Sequence, residues 1–139
     1  MKMSILGIVT IISLSSCVQA KHFWRGDLMS IKKVCKKWGN NILDVSKFKS
    51  VAGNKDEEAI RAKMTCSLIK NQKQYIGKNT LEIRKSFGNY TGHYFSDIYP
   101  TYIIQTAKTN KQNTWQIVFF IDRKRKVSKI VVHKNCCDN

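Results

Sequence analysis

The hardest constraint on this chain lies near its C-terminus, in the run Trp115-Gln116-Ile117-Val118-Phe119-Phe120-Ile121. Aromatic and β-branched residues fill odd and even positions alike. A strand alternates its side chains between two faces, so this one leaves neither face for water. It must be central in its sheet or covered. Arg123-Lys124-Arg125-Lys126 follows, four cations that cannot be buried together, and then a second apolar run from Val127 to Lys134. That order predicts an antiparallel hairpin with the basic tetrapeptide as its turn, and Asp122 in front of the turn is a common structural use of Asp.

The upstream segment from His93 to Thr106 is rich in Tyr, Phe, Ile and Thr. Pro100 divides it, because proline cannot donate to a sheet ladder, and the part after Pro100 supplies a third strand. Before Gly92 the periodicity is helical. Asp27 to Trp38 reads as a helix capped by Asp27 and ended by Gly39, with Leu28, Ile31, Cys35 and Trp38 on one face. Positions 40–54 read as irregular, anchored by Phe48. Asp56 to Gln72 is a second helix, its acidic residues Asp56, Glu57 and Glu58 at the end that favours negative charge. Asn79 with Glu82 forms a capping box for a short helix ending at Phe87, and Gly88 suits its C-terminus. The expected fold is α+β, with N-terminal helices packed on a three-stranded antiparallel sheet in two layers.

The N-terminus is written for export. Lys2 precedes an apolar stretch from Ile5 to Leu14, too short to span a bilayer, and small residues follow it. Residues 1–20 therefore read as a signal peptide. Leu14-Ser15-Ser16-Cys17 resembles the bacterial lipobox, in which Cys17 is acylated. Val18-Gln19-Ala20 offers an ordinary cleavage site before Lys21. Acylation at Cys17 with Val18 behind it predicts the periplasmic side of the outer membrane; the other cleavage predicts a periplasmic or secreted protein. Residues 21–55 form an N-terminal helix and irregular segment, and residues 56–139 a helix-helix-three-strand unit. Cys35, Cys66, Cys136 and Cys137 are disulfide candidates in an oxidising compartment. Adjacent Cys136 and Cys137 make a strained ring, so one of them is expected to bond Cys35 or Cys66.

The chain carries 25 Lys and Arg against 9 Asp and Glu, a net charge of +16. Only Lys2 belongs to the signal, so the mature domain keeps this excess, spread from Lys32, Lys33, Lys36 and Lys37 to the basic turn. Such a surface favours anionic partners: lipid head groups, lipopolysaccharide or an acidic protein. Export argues against nucleic acid. The candidate recognition surface combines Tyr94, Phe95, Tyr99 and Tyr102 of the aromatic run with Arg123, Lys124, Arg125 and Lys126; an exposed strand edge there could accept a partner strand. No metal-ligand spacing and no cofactor motif occurs. His93 and His133 are the pair a small basic nuclease or toxin would use as acid and base, the least favoured of the readings.

Tyr75-Ile76-Gly77-Lys78, Glu82-Ile83-Arg84, Phe87-Gly88, the aromatic strand, Trp115-Gln116-Ile117-Val118-Phe119 and the closing Val127 to His133 strand together resemble the small envelope lipoproteins of the SmpA/OmlA (BamE) type. The resemblance covers roughly residues 60 to 135. The β-lactamase-inhibitor-protein domain is similar in architecture. The resemblance implies a helical hairpin on a three-stranded antiparallel sheet, and a non-catalytic binding or assembly module of the cell envelope. A secreted inhibitor or immunity-type module is the alternative.

Overall fold

The computed structural model describes residues 27–107 and 114–134. The stretch read as a signal peptide, with Cys17, lies outside them, as do Cys136 and Cys137. The C-terminal hairpin forms as the apolar runs dictate. Strand β3 is Trp115–Ile121 and strand β4 is Val127–Lys134, paired antiparallel from Trp115 opposite Lys134 to Ile121 opposite Val127, with a shift in register after Phe120. Asp122 builds the turn. Its Oδ1 accepts from the backbone N–H of Lys124 at 2.8 Å and of Lys126 at 3.0 Å. Strand β2, Thr101–Gln105, lies antiparallel on the other side of β3. Pro100 stands just before it, where a missing N–H removes no ladder bond, and its carbonyl accepts from the Phe119 N–H at 2.9 Å.

The sheet has four strands, not three. Strand β1, Asp27–Met29, pairs antiparallel with β4, giving the order β1-β4-β3-β2. It precedes every helix, so the helices do not all come before the sheet. Asp27 is therefore not a helix cap. The helix begins later, at Ser30, whose Oγ accepts from the Lys33 N–H at 3.4 Å. Three residues are too few for a period of two to show, and their partner strand stands at the other end of the chain.

Helix α1 is Ile31–Trp38, with Val34 as its buried residue and Gly39 at φ 86° ending it. Helix α2, Val45–Ser50, occupies the segment read as irregular; Asp44 caps it by accepting from the Lys47 N–H at 2.9 Å, and it serves to bury Phe48. Helix α3 is Glu57–Lys70 and helix α4 is Thr80–Phe87, joined by a 3-10 turn at Gln72–Gln74. The capping box is formed: Asn79 Oδ1 accepts from the Glu82 N–H at 2.9 Å, and Glu82 Oε2 from the Asn79 N–H at 2.8 Å.

The helices cover one face of the sheet. Phe48, Phe87, Tyr102 and Phe119 meet there edge-on or tilted at centroid distances of 5.2 to 6.1 Å, and Ile83, Ile104, Ile117, Ile130 and Val132 fill the space around them. Helix α3 lies between β2 and α1, which is why its burial is not a single stripe: Arg61, Ala62, Met64, Thr65, Cys66, Leu68 and Ile69 are all buried. Arg61 is fully enclosed, ion-paired to Glu57, with Nε donating to the Phe48 carbonyl at 3.1 Å and the guanidinium over the Phe48 and Tyr102 rings at 4.9 and 5.7 Å. Cys35 is bonded to Cys66, fastening α1 to α3. The tie expected from these cysteines to the C-terminal pair is thus replaced by a tie between two helices, because the turns of α1 and α3 that carry them face each other.

Candidate functional site

The second face of the sheet is covered too, by the aromatic run. Residues 91–100 form a strap across β2, β3 and β4. The N–H groups of Thr91 and Gly92 donate to the Thr101 carbonyl at 3.0 and 3.1 Å, and Thr91 Oγ1 accepts from the Ile103 N–H at 2.9 Å. Gln116 Nε2 then donates to the His93 carbonyl at 2.8 Å. Gly92 is required by closeness: a Cβ there would stand 2.7 Å from Gln116 Oε1 and 2.8 Å from Thr101 Cγ2. Beyond it the Tyr94 ring lies edge-on against His133 at 4.8 Å and against Phe120 at 5.2 Å, and Tyr99 packs on Tyr94 at 5.6 Å and Phe120 at 6.1 Å. Burial raises the Tyr94 hydroxyl above the usual tyrosine range, and the nearby Tyr99 adds to the shift.

The candidate residues divide accordingly. Tyr94 and Tyr99 are half-buried struts of the strap. Phe95, at the apex between them, is 54% exposed and has φ 55°. Its neighbours Tyr94 and Ser96 bridge each other across it, the Ser96 N–H donating to the Tyr94 carbonyl. Tyr102 is not a surface residue. It is fully buried in the helix-covered core, with its hydroxyl donating to the Gly88 carbonyl at 2.8 Å, and burial pushes its pKa far up. The strand it sits on turns alternate residues inward, and Tyr102 falls on the core phase. The edge of β2 is not open for a partner strand either, since Thr91 and Gly92 already use the outward-pointing groups of Thr101 and Ile103.

Arg123, Lys124, Arg125 and Lys126 are all exposed on the hairpin turn, with Arg125 at φ 58°. The turn is close to the strap. Tyr94 and Tyr99 rest on Phe120, which precedes Asp122 by two residues and faces Lys129 across the ladder. Ile98, 40% exposed, and the exposed Lys129 join this surface without having been singled out from the sequence. His93 and His133 have different surroundings. His133 is buried beneath Tyr94, while the exposed His93 places Nδ1 3.1 Å from Asp97 Oδ1.

A shallow cleft of about 440 Å³ opens elsewhere, between the end of α1, the start of α3 and β2. On its walls Trp38 Nε1 donates to Gln105 Oε1 at 3.1 Å, and the Glu58 carboxylate accepts from the Thr106 N–H at 2.7 Å and its hydroxyl at 2.5 Å. Among the described residues, no group of three or more His, Cys, Asp or Glu is placed to hold a metal ion, and no helix is long and apolar enough to cross a membrane. Comparison with family models, curated proteins and solved structures gives no match to this chain.

Proposed function

We propose that this chain is an exported, lipid-anchored protein of the bacterial cell envelope, acting as a non-catalytic binding or assembly module for protein or anionic envelope components. The lipobox at Cys17 supports the anchor. The observation that carries the binding role is an exposed aromatic apex on a strap whose Tyr94 and Tyr99 rest on Phe120, just before a strongly basic turn. The excess of cations, +16 in the full chain with only Lys2 in the signal, surrounds that surface with an attractive field for anionic partners. The disulfide between Cys35 and Cys66 accords with an oxidising compartment. The resemblance of residues 60–135 to the SmpA/OmlA type supports the same class of function.

Metabolic labelling with a palmitate analogue, followed by membrane fractionation, tests the reading. Wild-type chain should take the label and sediment with the outer membrane even in high salt, and Cys17→Ser should lose the label and leave the membrane when salt is raised. Equal labelling and fractionation of the two would overturn the anchor.

A further inference from the structure

We propose that the apex of the strap, Phe95 with Ile98, inserts into an anionic lipid bilayer while the Arg123–Lys126 turn and Lys129 rest on its phosphates. The proposal deepens the envelope reading above and rests on it for the presence of such a surface.

Four observations point the same way. Phe95 holds a positive φ, a conformation that costs an L-residue free energy and that persists at sites where the surrounding structure imposes it. Here the imposition is visible. Tyr94 and Tyr99 pack on Phe120 and on each other, so the segment between them is held at both ends. Phe95 and Ile98 thus stay 54% and 40% exposed on a rigid base. Cations lie near the base of that tip, around the Phe120 on which Tyr94 and Tyr99 rest. Lys129 stands opposite Phe120, and the turn begins two residues after it, about 7 Å along a strand rising ~3.4 Å per residue. The nearest acid of the turn, Asp122, has its Oδ1 committed to two backbone N–H groups.

The chemistry of the occupant follows. Two exposed apolar side chains on a strap seated beside a cluster of ammonium and guanidinium groups match the boundary between lipid head groups and acyl chains, where apolar tips sink and cations stay with the phosphates. A protein partner asks for something else, a central anchor in a water-excluding patch of about 800 Å² per side. Asp97 is the acid of the strap, 98% exposed, and His93 lies beside it at 3.1 Å. Asp97 lies on the strap between Phe95 and Ile98, so it limits insertion to the two apolar tips.

The test uses chain exported with Cys17→Ser and purified in soluble form. It is sedimented with vesicles of phosphatidylcholine alone or mixed with phosphatidylglycerol, at rising salt. Binding should need the anionic lipid and weaken with salt. Lys124→Gln with Lys126→Gln should lower partitioning about fivefold for each cation removed, and Phe95→Ser about tenfold. Phe95→Trp should shift its emission to the blue when anionic vesicles are added, beyond any change of the parent chain. Near-ultraviolet circular dichroism checks that each variant is folded. Folded chain that ignores anionic vesicles overturns the proposal, as does binding that Phe95→Ser leaves unchanged, or capture by an envelope protein with no affinity for lipid. Failure of the anchor is a separate result: it appears as lost palmitate labelling of wild-type chain and leaves vesicle binding intact.

Discussion

Cutting the bond between Cys35 and Cys66 gives a stability change that can be worked from the fold. The two residues are 31 apart in sequence. Closing a loop of that length removes about 12 cal/mol/K of chain entropy from the unfolded ensemble, or about 3.7 kcal/mol at 25 °C. Cys66 is fully buried, so replacing its sulfur with a methyl hydrogen also leaves a small void, on the order of 1 kcal/mol. Cys35→Ala with Cys66→Ala should therefore cost about 4–5 kcal/mol, a large share of the stability of a domain this size. The melting temperature should fall by roughly 15–20 °C. Urea unfolding should show a steeper m-value for the variant, because its unfolded chain exposes more surface. The control is Cys136→Ser with Cys137→Ser, which should leave stability within ~0.5 kcal/mol of wild type. A loss below ~1 kcal/mol in the first variant, or a comparable loss in the second, would refute the assignment of this bond as the staple of the fold.

Three further outcomes are expected. Arg61→Met strands the mostly buried Glu57 carboxylate and should cost about 3–5 kcal/mol in urea unfolding, and adding Glu57→Gln should recover ~1 kcal/mol or more; strictly additive losses would show that the pair is not coupled. Gly92→Ala drives a methyl into Gln116 and Thr101 and should cost about 1–3 kcal/mol while speeding amide exchange in residues 91–103; unchanged protection there would contradict the strap's close seat on the sheet. Tyr75, Tyr90, Tyr94 and Tyr102 all have pKa values raised above 10.0 by burial. Because the folded values lie above the unfolded one, their contribution is complete below about pH 10 and is lost as pH rises further, so denaturation midpoints should fall as pH rises beyond that point. Tyr102→Phe should flatten that fall, after an initial cost of about 1 kcal/mol for the lost bond to the Gly88 carbonyl.

The elements readable in the sequence are those whose signal is local. The capping box at Asn79 and Glu82, the two-sided run from Trp115 and the turn at Asp122 each complete their chemistry within a few residues. Trp38 and Phe87 end their helices because Gly39 and Gly88 follow them. Strand β1 depends instead on a partner at the far end of the chain, and its three residues carry no period. Helix α2 is short, and only the cap at Asp44 and the buried Phe48 mark it. Arg61 carries no local signal of its own. Nothing near it in sequence reveals that α2 and β2 close over it with a carbonyl and two aromatic rings, beside the Glu57 carboxylate of its own helix. The pairing of Cys35 with Cys66 likewise depends on how α1 lies on α3, which spacing alone does not decide.

The aromatic run answers a need set by the sheet. A strand apolar on both faces demands two covers, and helices on one side supply only the first. Val118, Val131 and His133 need the second, and each is buried on the outer face. Tyr94 and Tyr99 meet that need, so most of the run is explained by packing before any partner is considered. What packing leaves over is small and specific. Tyr102 belongs to the core, Tyr94 and Tyr99 to the cover, and only Phe95 and Ile98 point their apolar surface outward. A strap that is itself a packing element holds those two rigidly, with no ordering cost left to be met on contact. The physical reason for the strap and the reason for its exposed tip are therefore distinct, and replacing Phe95 should separate them: contact with a partner should weaken while the cover, held by Gly92, Tyr94 and Tyr99, keeps its protection.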